Sequence, residues 1–115
     1  MTPDGAPIDA QLRKGVVEFA ILALLSREPM YGWQLSHELI DNGGFIGSIG
    51  TLYPVLSRLR AKGWVITYDE PSEAGPARRY YRLTPAGTES LAEFTAQWQT
   101  FSTALTSLLH KGPRS

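Results

Sequence analysis

Helix, helix, helix, hairpin, helix is the order of elements that the sequence predicts. It defines a mainly α fold with a small β-hairpin, a winged helix-turn-helix plus a C-terminal dimerisation helix. Three observations carry this. Residues 48–63 place Ile49, Leu52, Leu56 and Leu59 at spacings of three and four, one buried stripe of a helix. The β-rich runs 64–70 and 78–83 flank a stretch with Pro71, Gly75 and Pro76, which reads as a hairpin and its tip. Beyond it Leu91, Phe94, Trp98, Phe101, Leu105 and Leu108 recur in alternating steps of three and four, a heptad seam.

Taken in order, residues 1–8 carry two prolines and a glycine and read as a flexible N-terminal arm. A first helix runs from Asp9, a possible cap, to about Arg27, and Pro29 ends it. Between Val16 and Leu25 it is apolar on nearly every side, interrupted only by Glu18. A helix apolar all round must be covered all round, and so small a domain covers about half of it, which points to a second chain or a later helix. Tyr31-Gly32 opens a second helix to about Asp41, with Trp33, Leu35, Leu39 and Ile40 as its apolar positions. Asn42-Gly43-Gly44 ends it and leads to the third helix.

In that third helix Ser48 or Thr51 can cap the start and Gly63 supplies the stop. Pro54 fits best in the first turn, where its missing N–H is no loss; a helix that starts at Ser48 would be kinked there. Thr84-Pro85 then reads as a cap followed by a first-turn proline, opening the last helix. The expected organisation is an arm over 1–8, the winged helix-turn-helix over 9–84, the dimerisation helix over 85–110 and a tail over 111–115.

The polar face of the third helix holds Thr51, Tyr53, Ser57, Arg58 and Arg60, with Lys62 in its last turn. Hydroxyls and guanidiniums of this kind suit phosphates and base edges in a major groove. An ordinary amphipathic surface helix reads the same way when taken alone. The wing that follows, with Arg78-Arg79 directly after the tip, suits a minor groove or flanking phosphates, or else solvates a hairpin edge. The expected DNA contacts are Ser48, Thr51, Tyr53 and Arg58 in the groove, Lys14, Arg60 and Lys62 on phosphate, and Arg78, Arg79 and Tyr80 in the wing.

The chain of 115 residues has a formal net charge of zero, which taken whole argues against nucleic acid. The charge is segregated, however. Residues 1–47 hold three basic side chains against six acidic ones, whereas residues 48–88 hold six against three. The positive excess therefore lies on the third helix and the hairpin, where a DNA backbone would run. So modest an excess implies salt-sensitive binding and two copies of the domain.

Other classes find little support. The chain has no cysteine, and its two histidines, His37 and His110, lie far apart without a nucleophile-base-acid grouping. Metal-ligand spacings and phosphate-cradling glycine motifs are absent, so no catalytic residue, cofactor or metal is expected. The longest apolar run, Phe19 to Leu25, is too short to span a bilayer, and the N-terminus lacks the features of a signal peptide. A soluble, cytoplasmic protein is expected. The rival is a winged-helix module that contacts only proteins. It keeps the fold and the seam but has no need of Thr51, Tyr53, Arg58 and Arg79 on one surface.

The sequence resembles the PadR family of bacterial transcriptional regulators. The matching segments are Arg13-Lys14-Gly15, Pro29-Met30-Tyr31-Gly32, Gly50-Thr51-Leu52-Tyr53-Pro54 with Arg58-Leu59 and Lys62-Gly63, and Gly75-Pro76 with the run from Arg79 to Gly87. They span roughly residues 12–108, and the Gly-Thr-Leu-Tyr-Pro and Tyr-Arg-Leu-Thr blocks are the specific ones. The single C-terminal helix is similar to that of the short subfamily. The resemblance implies a homodimer whose last helix packs on the partner's first helix, burying Leu12, Val16, Leu91, Phe94, Trp98, Phe101, Leu105 and Leu108. It implies binding to a palindromic operator, usually to repress a nearby promoter. It also implies, for some short members, a flat aromatic or cationic effector stacked on a tryptophan of the last helix. Trp98 matches that position, flanked by Phe94 and Phe101, with Glu18 and Phe19 of the first helix facing the same cavity. Against this, Trp98 is equally a plain seam residue and Glu18 a partner for a nearby arginine.

Overall fold

The computed structural model describes the backbone of residues 8–112 and the side chains of residues 15–112. Its elements are α1 (Ile8–Leu25), β1 (Met30–Tyr31), α2 (Gly32–Asp41), a 3-10 turn (Ile49–Thr51), α3 (Leu52–Ala61), β2 (Val65–Ser72), β3 (Gly75–Leu83) and α4 (Pro85–Leu109). This is the expected mainly α fold with its hairpin and winged helix-turn-helix order. The arm expected over 1–8 lies outside the described residues except for Ile8, which opens α1.

The core forms where the apolar stripes of three helices meet the inner face of the sheet. Val17, Ile21, Leu22 and Leu25 of α1 pack with Leu35 and Leu39 of α2 and with Leu52, Val55, Leu56 and Leu59 of α3. Val65 and Tyr81 close the cluster from the hairpin, and they share a face because Val65 pairs with Leu83 and Thr67 with Tyr81. Ile49 is a correction to the expected stripe. It lies in the 3-10 turn ahead of α3, not on the helix whose face is buried, and it is 38% exposed. Trp33 and Ile40, expected as apolar positions of α2, also face outward, while Leu35 and Leu39 carry its burial.

Three details differ from expectation. Tyr31 is the N-cap of α2, which starts at Gly32 as expected, but it also belongs to an unexpected two-residue strand on the far edge of β3, in the order β1-β3-β2. Its backbone N–H donates to Gln34 Oε1 at 3.0 Å. The hairpin strands run on through the expected loose tip, with Ser72 paired to Gly75, so only Glu73 and Ala74 connect them. Pro71 is tolerated because the register slips between Glu70 and Ser72, where no ladder N–H is required. Finally, neither Ser48 nor Thr51 caps a helix with its side chain. The Thr51 hydroxyl instead donates back to the Ser48 carbonyl at 2.8 Å, which tightens the 3-10 turn.

Pro54 does fall in the first turn of α3, and Gly63, with φ of 78°, closes it. The junction that follows is dense. Thr84 Oγ1 donates to the Gly63 carbonyl at 2.6 Å and accepts from Gly87 N–H at 3.0 Å, while Thr84 N–H donates to the Trp64 carbonyl at 3.0 Å. Thr84 is thus the expected cap of α4 and also a bolt onto the end of α3. Gly87 has no room for a side chain, because an added Cβ would lie 2.1 Å from the Trp64 carbonyl oxygen. From this base α4 packs on α1 through Phe94, which stacks on Phe19 at 3.9 Å, and then projects beyond the domain. The 66 Å long dimension of the chain against 30 and 22 Å for the others reflects that projection.

Candidate nucleic-acid interface

The burial of Leu52, Val55, Leu56 and Leu59 fixes which face α3 offers to the outside. Thr51, Tyr53, Ser57, Arg58, Arg60 and Lys62 all lie on that exposed face, with Ser48 just ahead of it. Tyr53 is seated over the start of α2, where its hydroxyl occupies space that a Cβ on Gly32 would contest at 2.9 Å. A cleft of about 570 Å³ opens there between α3 and the wing, lined by Tyr31, Trp33, Tyr53, Ser57, Arg60, Arg78 and Arg79, with Tyr81 at its floor. Burial pushes the Tyr81 phenol above its ordinary value, and neighbouring Tyr53 adds to the rise while Arg79 and Arg60 oppose it. Tyr81 therefore stays neutral and keeps its O–H as a donor at physiological pH.

The wing arginines part company because strand side chains alternate. Arg79 lies opposite Asp69, with Nε 3.6 Å from Oδ1, and both are well exposed, so this pair adds little stability. Arg78 lies over the Tyr31 ring at 4.7 Å. Tyr80, expected as a wing contact, is half-buried in an aromatic stack, 5.7 Å from Tyr68 and 5.4 Å from Tyr31 between ring centroids. It shares a strand face with Arg78 but does not itself line the cleft. The side chains of Lys14 and Leu12 lie outside the described residues.

Glu18 behaves differently from its expected role near an effector cavity. Its carboxylate accepts from Lys62 Nζ at 3.0 and 3.2 Å and from Arg58 Nε at 3.4 Å, so α1 is tied to the polar face of α3. A second and larger cavity, an open groove of about 930 Å³, lies between α1 and α4. Val16, Phe94, Trp98 and Phe101 line it together with Gly15 and Ala104, but Glu18 and Phe19 do not. Phe19 is spent on the stack with Phe94. Leu91 packs against the core edge, whereas Trp98, Phe101, Leu105 and Leu108 stand exposed along α4.

Among the described residues no three His, Cys, Asp or Glu side chains gather as a metal site, and no helix is long and apolar enough to cross a membrane. Against this geometry the family match is decisive. The model of the transcriptional regulator PadR-like family matches residues 21–93, from the last turns of α1 into α4. The chain belongs to the PadR-like family. Relatives of this PadR-like protein include the transcriptional regulator Rv3488 of Mycobacterium tuberculosis, 37% identical over 83 residues that cover 72% of this chain and 76% of that one. The solved structure of a PadR-like transcriptional regulator from Bacillus cereus superposes with a TM-score of 0.82 at 37% identity, covering 89% of this chain and 99% of the other. A PadR family regulator from Eggerthella lenta gives 0.78 at 34% identity, with 89% and 88% covered. This PadR-family protein is a DNA-binding transcriptional regulator, and its winged-helix fold is theirs.

One feature of the interface was not legible in the sequence, and a second, an arginine partner for Glu18, was legible in kind but not in identity. The cleft residues Tyr31 and Trp33 precede α2 or open it, and only the β1–β3 pairing brings them beside the wing. The Glu18 ion pairs join residues 40 and 44 positions apart, a separation that no local pattern carries.

Proposed function

We propose that the protein is a homodimeric repressor that binds a palindromic operator. In this reading α3 enters the major groove with Thr51, Tyr53 and Arg58, and Ser48 stands at its leading edge. Arg60, Lys62 and Lys14 meet phosphate, and Arg78 and Arg79 work from the wing. The observation that carries it is the convergence of Tyr53, Ser57, Arg60, Arg78 and Arg79 on one cleft beside the exposed face of α3. That is the donor set suited to a DNA backbone beside a groove. The dimer is supported by the α4 stripe, where Phe101 and Leu108 are each 65% exposed and no part of the described chain covers them. The partner's helices would cover them, together with Val16 and Leu12. An apolar groove flanked by Phe94, Trp98 and Phe101 supports a flat aromatic or cationic effector that relieves operator binding. In this reading the protein acts in the cytoplasm.

The test is a band-shift titration on the DNA upstream of the protein's own gene, at low and physiological salt with random duplex as competitor. If that DNA fails, a selection from a random duplex library follows. Tight binding that survives competitor, falling steeply as salt rises, is the expected result. Failure to bind any duplex in the selection replaces the reading with a winged-helix module for protein contacts.

A further inference from the structure

We infer that Glu18 is a positioning residue for DNA recognition. It aims Arg58 and Lys62 of α3 and so sets discrimination between cognate and random duplex. The inference rests on the reading of α3 as the recognition helix. Between Val16 and Leu25 every other residue is apolar, and an acid there carries a desolvation cost unless it is paired. Its side chain is 19% exposed, and both oxygens are engaged. Arg58 and Lys62 stand one helical turn apart, so a single carboxylate on α1 reaches both. Lys62 is further held by the Trp64 ring, 4.5 Å from its ammonium nitrogen.

The geometry leaves the cations available. Arg58 and Lys62 remain 55% and 42% exposed. The contact to Arg58 uses Nε, which leaves the two terminal nitrogens for a bidentate bond to a guanine edge. Two long, flexible side chains are thus ordered when the protein folds, and that cost is not met again on binding. The carboxylate also subtracts one charge from the surface facing the phosphates, which lowers affinity for any duplex alike. Glu18 therefore trades sequence-independent attraction for aim. This is how a nearby acid raises specificity without adding a contact to DNA.

The experiment compares wild type with Glu18→Gln and Glu18→Asp on two probes: a duplex enriched by the wild type from a random library, and the unselected library. Glu18→Gln is expected to weaken binding to the enriched duplex about tenfold, the scale of one misplaced bidentate contact. The same change should tighten binding to the library and steepen the salt slope by roughly one unit, as one fewer negative charge requires. Glu18→Asp keeps the charge but shortens the reach, so it should lose discrimination with library binding unchanged. In a background where Arg58 and Lys62 are both alanine, Glu18→Gln should no longer alter the ratio. Equal tightening on both probes would make Glu18 a charge brake and overturn the inference. So would equal weakening in step with a lower melting temperature, or no change. A wild type that binds no duplex overturns the recognition-helix reading and Glu18's role with it. A discriminating wild type matched by Glu18→Gln overturns the Glu18 role alone.

Discussion

The core beneath the hairpin and the outer half of α4 are built from the same kind of side chain and meet opposite fates. Leu35, Leu52 and Leu59 are fully buried by their own chain. Trp98, Phe101, Leu105 and Leu108 repeat just as regularly but face solvent along a helix that has left the domain. Periodicity thus specifies a face, and topology decides whether the chain can cover it. Three short helices folded over a sheet enclose their stripes, while one helix of 25 residues projecting from a domain this size cannot. The first region sets stability, and the second is the face left for the partner in the proposed dimer.

The sharpest way to break the comparison is to hollow out the enclosed half. Leu59→Ala should lower unfolding stability by about 2–5 kcal/mol, read by denaturant titration, because it leaves a cavity where α3 meets the sheet. Gly87→Ala strikes the seam between the two regions. Its Cβ must displace the Trp64 backbone, so a loss of about 1–3 kcal/mol is expected, with α4 shifted on the hairpin. Trp98→Ala should do the opposite of Leu59→Ala. It should leave the far-ultraviolet spectrum intact yet shift the monomer–dimer equilibrium toward monomer by about 30-fold in sedimentation, a hot-spot loss of roughly 2 kcal/mol. Equal effects of Trp98→Ala and Leu59→Ala on spectrum and folding would erase the distinction.

Thr84→Ala removes the cap where the regions meet and should cost about 1 kcal/mol in thermal unfolding. The smallest effect is an alkaline one. Burial raises the folded Tyr81 pKa above its unfolded value, so the folded state favours the protonated phenol. Its contribution is fully present below about pH 10 and is lost as pH climbs through the folded pKa. Tyr81→Phe should therefore flatten the stability profile above pH 10 and leave its slope near neutrality unchanged.

Much of this architecture was legible in the sequence because it depends on neighbours three or four residues away. The apolar run of α1, the stripes of α3 and α4, the Thr84-Pro85 start and the Gly63 stop are all local. The strand at Met30–Tyr31 was not legible because two residues have no alternation to detect, and only pairing with Tyr81 and Tyr80 defines it. The length of the hairpin was underestimated because Pro71 and Gly75 resemble a loose tip, although a register slip admits one and strand pairing the other. Glu18 could be singled out as the lone charge on an apolar helix, but its partners could not, since Arg58 and Lys62 arrive from another helix. The cleft had the same limit: Arg78 and Arg79 were visible as neighbours in sequence, whereas their company with Tyr53 and Arg60 belongs to the fold.

The bolt at Thr84 has a mechanical consequence. In a dimer assembled through α4, this helix is a lever whose arm is about 37 Å at 1.5 Å per residue. Its fulcrum is bonded to the carbonyls just past α3, at Gly63 and Trp64. A rotation of roughly 10° there sweeps the far end through about 6 Å, against the ~34 Å that separates successive major-groove faces of DNA. In the proposed dimer the short bonds around Thr84 would thus govern phase, deciding whether two reading heads meet the double helix in step or out of step.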